Sequence, residues 1–372
     1  MIAPGQTIGI VGGGQLGRML AQAAQTLGYR VAVFDPDANC PASSVCHGFY
    51  CGSYDDAAAL EGFAAVVDVL TYEFENISAD ALRSAASRVP LRPTADVLHV
   101  CQNRQREKAW LKSHGFPHVA YTEALDGDIR AAAQTVGLPC VIKTADFGYD
   151  GKGQMRVGSE AELEQAAAIF RGRRCVVEQW AEFSCELSVI VARAAGGETR
   201  AFPVAENQHA RHILDLSIIP ARVPKAVATM ATELSLLIAD TLDVVGLLAV
   251  ELFVLDDGTV LVNELAPRPH NSGHWSLDGA DTSQFEQHVR AICGLPLGSP
   301  VERGPIVMAN ILGDAWKDGT PNWSEVLRTP RAKLHLYGKD APRPGRKMGH
   351  FTVSAASADL AIAEARRLQG LL

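Results

Sequence analysis

The stretch "TIGIVGGGQLGRML", residues 7–20, limits the fold more than any other part of the chain. An apolar strand delivers Gly12, Gly14 and Gly17 at the spacing that lets a backbone turn tightly into a helix, and such a unit belongs to a parallel sheet. The next strand, "RVAVFD", ends on Asp35, where dinucleotide folds carry a ribose-binding carboxylate. The loop therefore fits NAD. Yet a helix N-terminus behind glycines attracts any phosphate, so the loop reports an anion without naming it.

The alternation continues through "AALEGFAA" and "VVDVLTYEF", which sets a βαβ domain over 1–98 with its ligand crevice at the strand C-termini. Glu73 sits at one such end, either facing that crevice or as an ordinary loop carboxylate. At 372 residues the chain exceeds one core, and 99–300 and 301–372 complete a three-domain division. Helices in "NRQREKAWLKSHG" and "GDIRAAAQTVG" and the strand "PCVIKTA" lead to a second glycine-rich segment, "DFGYDGKGQMRV". This one joins two strand-like stretches, so it is a hairpin that either folds over phosphates or merely turns. Strands "RCVVEQW", "CELSVIVAR" and "RAFPVAE" follow, then an amphipathic helix from Lys225 to Leu242.

A net charge of −8 disfavours duplex binding, which needs a basic surface. No apolar run is long enough for a membrane span and no basic segment leads into a signal core, so the expected location is the cytoplasm. Eight cysteines without a CxxC pair suit free thiols in a reducing compartment. The cluster "CPASSVCHGFYC" lacks zinc spacing and reads as small, partly buried fillers.

The chemistry concentrates in "VELFVLDDGTVLVNELAPRPHNSGH". With Asp257-Gly258 as a two-residue turn, Asp256 pairs with Thr259 and Glu251 falls opposite Glu264 on one face. Directly opposed like charges destabilise a ribbon, so either the register slips or something positive sits between them; Mg²⁺ against nucleotide phosphates fits. Lys143 ends the strand before the glycine hairpin and suits a phosphate, and Glu178 ends the "VVEQWAE" strand, where an adenine amino group could be read. In "APRPHNSGH" the proline and glycine argue against a helical zinc pair of His270 and His274, which leaves an anion-binding loop with Arg268 as a bidentate donor. Lys339, Arg346 and Lys347 around "PRPG" form either a built anion site or a solvated run.

Taken in order, the glycine loop, the lysine strand, "GYDGKGQ", "VEQ", the two-glutamate hairpin, "NELAPRPHNSGHW" and "RPGRKMGH" resemble the 5-(carboxyamino)imidazole ribonucleotide synthases, ATP-grasp enzymes of purine biosynthesis, from Ile8 to about Phe351. That resemblance implies a multidomain α/β and α+β fold: an N-terminal parallel βαβ domain, a central ATP-grasp domain and a small β-rich C-terminal domain. It implies ATP and Mg²⁺ as cofactors, bicarbonate as co-substrate and a homodimer. The reaction it implies carboxylates aminoimidazole ribonucleotide through carboxyphosphate, releasing ADP and phosphate. Position by position, Arg104, Lys143, Gly148, Tyr149, Asp150, Gly151, Lys152, Gly153 and Gln154 match phosphate and flap contacts. Glu178, Gln179, Trp180, Ala181, Glu186 and His209 match the nucleotide pocket, and Glu251 and Glu264, with Asn263 beside them, match the metal ligands. For the ribonucleotide, Gln15, Leu16, Glu73, Tyr149, Lys152, Arg268, His270, Lys339 and Arg346 match, with catalytic roles on Arg268, Lys152, His270 and Tyr149. Two positions depart from the pattern: Ala266 stands where many ATP-grasp enzymes have the Asn of Glu-x-Asn, leaving water or Asn263 as a ligand, and Lys152 stands where relatives often have arginine. A formate-using glycinamide ribonucleotide transformylase and a non-catalytic nucleotide-binding protein are the competing readings; the resemblance leaves NAD little support, because a dehydrogenase would not explain the second glycine hairpin or the paired glutamates.

Overall fold

The computed structural model describes residues 1–124, 127–146 and 153–372. The N-terminal region is the expected parallel sheet: β1 (Thr7–Val11), β2 (Arg30–Asp35), β3 (Gly48–Cys51) and β4 (Val69–Tyr72) lie in the order β3-β2-β1-β4. The strands are apolar on both faces because both faces are covered. α1 (Gln15–Thr26) packs on Ile8, Ile10, Val31 and Val33, while α2 (Ala57–Ala64), α3 (Ala79–Ala85) and α4 (Ala95–Cys101) close over Val11, Phe34, Leu70 and Tyr72. β3, on the sheet edge, has no counterpart in the sequence reading. It carries Cys51 exposed, so the expectation of partly buried fillers holds for Cys40 and Cys46 and fails for Cys51.

α5 (Arg104–Ser113), capped by the Asn103 side chain on the Arg106 N–H, leads into a second sheet. There β5 (Tyr121–Ala124), β6 (Cys140–Thr144), β7 (Gln154–Val157) and β8 (Cys175–Gln179) run antiparallel in the order β5-β8-β6-β7, with α6 (Ile129–Val136) and α7 (Glu160–Ile169) on one face. The expected glycine hairpin joins β6 to β7, with Lys143 opposite Gln154.

The third sheet has nine strands. β9 (Cys185–Arg193), β10 (Thr199–Ala201), β11 (Ala205–Ala210), β12 (Ile213–Ile219), β13 (Gly246–Val254) and β14 (Val260–Ala266) belong to the central region, with α8 (Lys225–Thr241) on one face. α9 (Ser276–Gly279) and α10 (Gln284–Cys293) follow β14. The C-terminal β15 (Ile306–Leu312), α11 (Ser324–Arg328), β16 (Ala332–Leu336), β17 (Lys347–Ser354) and α12 (Ala358–Gln369) do not form a sheet of their own: β15 pairs with β12, so the order runs β14-β13-β9-β11-β12-β15-β17-β16. α10 ties this assembly to the first sheet, because Phe285, Val289 and Ile292 enter the same core as Ile8 and Leu20.

One register differs from the sequence reading. The Leu255 N–H donates to the Thr259 carbonyl at 2.9 Å and Val254 pairs with Val260, so residues 256–258 form a three-residue turn and Asp256 does not pair with Thr259. Gly258 at φ +85° takes the left-handed position that such turns require. A bulge at Asn263 then restores the offset, and Glu251 does face Glu264. The expected pairing holds although the route to it differs.

Candidate active site

The site lies where the second and third sheets face one another, bounded by the C-terminal ends of the first. Its centre is the bulge in β14. An extra residue in an antiparallel ribbon breaks the strict in-out alternation, so Asn263 and Glu264, consecutive in sequence, both serve the same region. Asn263 Nδ2 lies 3.4 Å from Glu251 Oε2, and its Oδ1 accepts from Lys143 Nζ at 3.4 Å. A guanidinium and an imidazole stand at the opposed glutamates: Arg104 Nη2 is 3.4 Å from Glu264 Oε2 and His270 Nε2 is 3.2 Å from Glu251 Oε1. Burial alone would raise the Glu251 carboxyl, but His270, His209 and Lys347 together pull it down to about 2. Two carboxylates and an amide oxygen suit Mg²⁺, which takes its remaining ligands from phosphate and water. Ala266 cannot contribute, being buried in the core beside Trp275 and Ile190.

Opposite the bulge, β6 and β8 present Lys143 and Glu178, 2.7 Å apart. Burial of Glu178 would raise its carboxyl, yet Lys108 and Lys143 hold it at about 2. Arg104 reaches this region from the first turn of α5, where its backbone N–H is tied to the Ala145 carbonyl and its side chain donates to the Thr144 carbonyl at 3.2 Å. Gly153 closes the β6-β7 turn at φ +73°, and a Cβ there would stand 2.5 Å from Thr144 Oγ1. The flap positions Gly148, Tyr149, Asp150, Gly151 and Lys152 lie outside the described residues. A cavity of 210 Å³ lies between the hairpin residues Leu255 and Leu261 and the run Gln179, Trp180, Ala181. Glu186 on β9 and His209 on β11 form a pair at 3.2 Å. Burial would lower the imidazole, but the carboxylates of Glu186 and Glu251 outweigh it and raise its pKa. A larger cavity of 530 Å³, between α8 and residues 300–302, contains none of these groups.

The glycine loop of the first sheet is filled by the protein's own carboxylates. Glu73 Oε1 accepts from the Gly14 N–H at 2.7 Å and Oε2 from the Gly17 N–H at 2.8 Å, while Asp35 Oδ2 accepts from the Gly13 N–H at 2.6 Å and from the Tyr54 hydroxyl at 2.7 Å. Asp35 is therefore engaged as a structural acceptor rather than offered to a ribose. The backbone N–H groups of Gln15 and Leu16 remain at the mouth of α1, with no side-chain cap over them. Arg268, half-buried between the first and third sheets, pairs through Nε with Glu75 at 2.7 Å. His270 is oriented by its Nδ1 contact to Ser272 Oγ at 2.8 Å. His274, four residues on, does not belong to an anion loop: it is fully buried against His350 and Phe285, which drives its pKa well below the ordinary value. Lys339 is carried toward α1 by the buried Tyr337, and its ammonium donates to the Lys347 carbonyl at 2.7 Å. The Arg346 guanidinium donates to the Ala341 carbonyl within its own loop.

Sequence reasoning missed Glu107, Lys108 and Glu75. Glu107 accepts from the Leu265 N–H at 2.6 Å; burial pushes its carboxyl up to about 8 against the pull of Lys108. The signal was present: Arg104, Lys108 and the buried Leu111 fall at i, i+4, i+7 on one face of α5, which makes that face an inner one.

Residues 5–102 match the family described as ribonucleotide synthetase preATP-grasp domain, residues 109–285 the ATP-grasp domain, and residues 306–364 the phosphoribosylaminoimidazole carboxylase C-terminal domain. The chain is 47% identical over 355 residues to the N5-carboxyaminoimidazole ribonucleotide synthase of Bacillus subtilis, covering 95% of this chain and 92% of that protein. It is similar in structure to an N5-carboxyaminoimidazole ribonucleotide synthetase solved with ADP, at 43% identity and a TM-score of 0.94 over 99% of this chain and 97% of that one. It is also similar to the Aspergillus clavatus N5-carboxyaminoimidazole synthase solved with ADP and 5-aminoimidazole ribonucleotide, at 33% identity and a TM-score of 0.91 over 99% and 98% of the two chains.

Proposed function

The chain belongs to the N5-carboxyaminoimidazole ribonucleotide synthase family of ATP-grasp ligases, and from that premise we propose how its residues carry out an ATP- and bicarbonate-dependent carboxylation of 5-aminoimidazole ribonucleotide. The observation that carries the reading is the bulged hairpin, with Glu251, Asn263 and Glu264 gathered between the cations Lys143 and Arg104 on one side and the Arg268 guanidinium and His270 imidazole on the other. The adenine lies in the cavity beside Gln179, Trp180 and Ala181, with Glu178, Glu186 and His209 around the nucleoside. Lys143 and Arg104 turn from their carboxylate partners to the phosphates, beneath Gly153, Gln154 and the flap. Glu251, Glu264 and Asn263 hold Mg²⁺, which supplies charge neutralisation to the phosphates.

Bicarbonate oxygen attacks the γ-phosphorus, the bond to ADP breaks, and carboxyphosphate forms. Its carboxyl carbon is then taken by the exocyclic amine, with loss of phosphate and of one amine proton. Arg268 and His270 face that carboxyl group, and exclusion of water protects it. The ribonucleotide lies across the mouth of α1, where the Gln15 and Leu16 N–H groups and Lys339 meet its phosphate, Arg346 approaches from the same loop as Lys339, and Glu73, whose two oxygens already accept from the Gly14 and Gly17 N–H groups, borders it. Tyr149 and Lys152, which lie outside the described residues, are assigned to the same substrate by their match to the family pattern. The protein works as a homodimer in the cytoplasm; its eight free thiols suit a reducing compartment, and among the described residues no helix is long and apolar enough to cross a membrane.

ADP release tests the reading. It is expected only when ATP, bicarbonate and aminoimidazole ribonucleotide are all present at full rate; equal turnover with formate and glycinamide ribonucleotide would overturn it in favour of the transformylase.

A further inference from the structure

Glu178 is 3% exposed and holds two ammonium groups, Lys143 at 2.7 Å and Lys108 at 3.5 Å. The two lysines differ in freedom. Lys143, next to last in β6, keeps part of its side chain in solvent, whereas Lys108 is 1% exposed and its Nζ also donates to the Asn263 carbonyl at 2.9 Å. Glu178 Oε1, the oxygen turned to Lys108, makes no hydrogen bond, while Oε2 takes the close contact with Lys143.

If Lys143 moves to a phosphate, Glu178 loses its nearer partner. A buried carboxylate left without a partner is strongly destabilising. Only 3.5 Å separates the unbonded Oε1 from Lys108, so a small rotation of the carboxylate would make that contact a hydrogen bond. We propose that Lys108 is a positioning residue, the resident counter-ion that keeps Glu178 satisfied when Lys143 is given up to the nucleotide, and that its bond to the Asn263 carbonyl links this exchange to the bulge carrying Asn263 and Glu264. The inference rests on the reading that Lys143 holds the phosphates.

Calorimetric titration of the full-length protein with ADP in EDTA reads binding without turnover or metal. Lys143→Ala and Lys108→Met each weaken ADP about tenfold or more, and Lys108→Arg recovers most of the loss. In the background of Glu178→Gln the penalty of Lys108→Met shrinks to about threefold or less, because no carboxylate remains to be orphaned. A folded Lys108→Met protein that binds ADP like the wild type overturns the inference, and so does an equal penalty in both backgrounds. Normal ADP binding by Lys143→Ala removes the reading beneath it instead. Should Lys108→Met fail to fold, Lys108→Gln, which keeps a donor for Asn263, is measured with the same two outcomes.

Discussion

Gly14→Ala isolates the carboxylate that fills the glycine loop. Gly14 sits at φ −69° and ψ −163°, a conformation open to alanine, so backbone strain contributes nothing. The added Cβ would stand 2.4 Å from Glu73 Oε1. To reach ordinary contact the carboxylate must retreat by roughly 1 Å, which stretches its bond to the Gly14 N–H beyond hydrogen-bond range. Glu73 is 8% exposed, so water replaces little of what is lost. A hydrogen bond to a charged group contributes about 1.5–3 kcal/mol, and one such bond is broken while the Gly17 bond is weakened. The variant should lose about 2–3 kcal/mol, seen as a fall in melting temperature of about 5 °C. In steady-state assays of ADP release, KM for the ribonucleotide should rise about tenfold while KM for ATP stays as in the wild type, because the ATP groups lie on the other two sheets. A variant that melts with the wild type and keeps its ribonucleotide KM would refute the claim that this loop is organised around Glu73.

Glu264→Gln keeps the shape of the bulge and the contact region of Arg104 but removes one of the two carboxylates proposed to hold Mg²⁺; kcat should fall by about a hundredfold or more with an unchanged circular dichroism spectrum, and near-normal turnover would rule out the metal role. Stability should depend on acid through Glu178, whose carboxyl is held at about 2 against an ordinary 4.5. Because the folded value is the lower one, its contribution of about 3 kcal/mol is complete above pH ~4.5 and fades as the pH drops toward 2. Chemical denaturation of the wild type and Glu178→Gln across that window should show a flatter curve for the variant, and parallel curves would contradict the assignment.

Much of the fold was legible because its signals are local. The run of β1, glycine loop and α1 is set by a buried strand entering a helix, and α5, α6 and α8 were visible from their residue patterns. β3 was not: four residues on a sheet edge, only partly buried, have no clear alternation. The C-terminal strands were legible as strands, but their pairing through β12 and β15 was not, since partner choice depends on contacts distant in sequence.

By itself, then, the sequence determined the parallel N-terminal sheet, the existence of the hairpin that carries Glu251 and Glu264, and the order of motifs by which the family is identified, all of which rest on spacing along one or two neighbouring elements. Tertiary structure alone decided which charges meet. It turned Asn263 into the site through a bulge, gave the glycine-loop amides to Glu73 and Asp35, buried His274, and brought Lys108 of α5 to the buried side of Glu178. A charged residue looks alike in a sequence whether it faces water or a partner. Only the packing of three sheets against one another removes the water and fixes its partner.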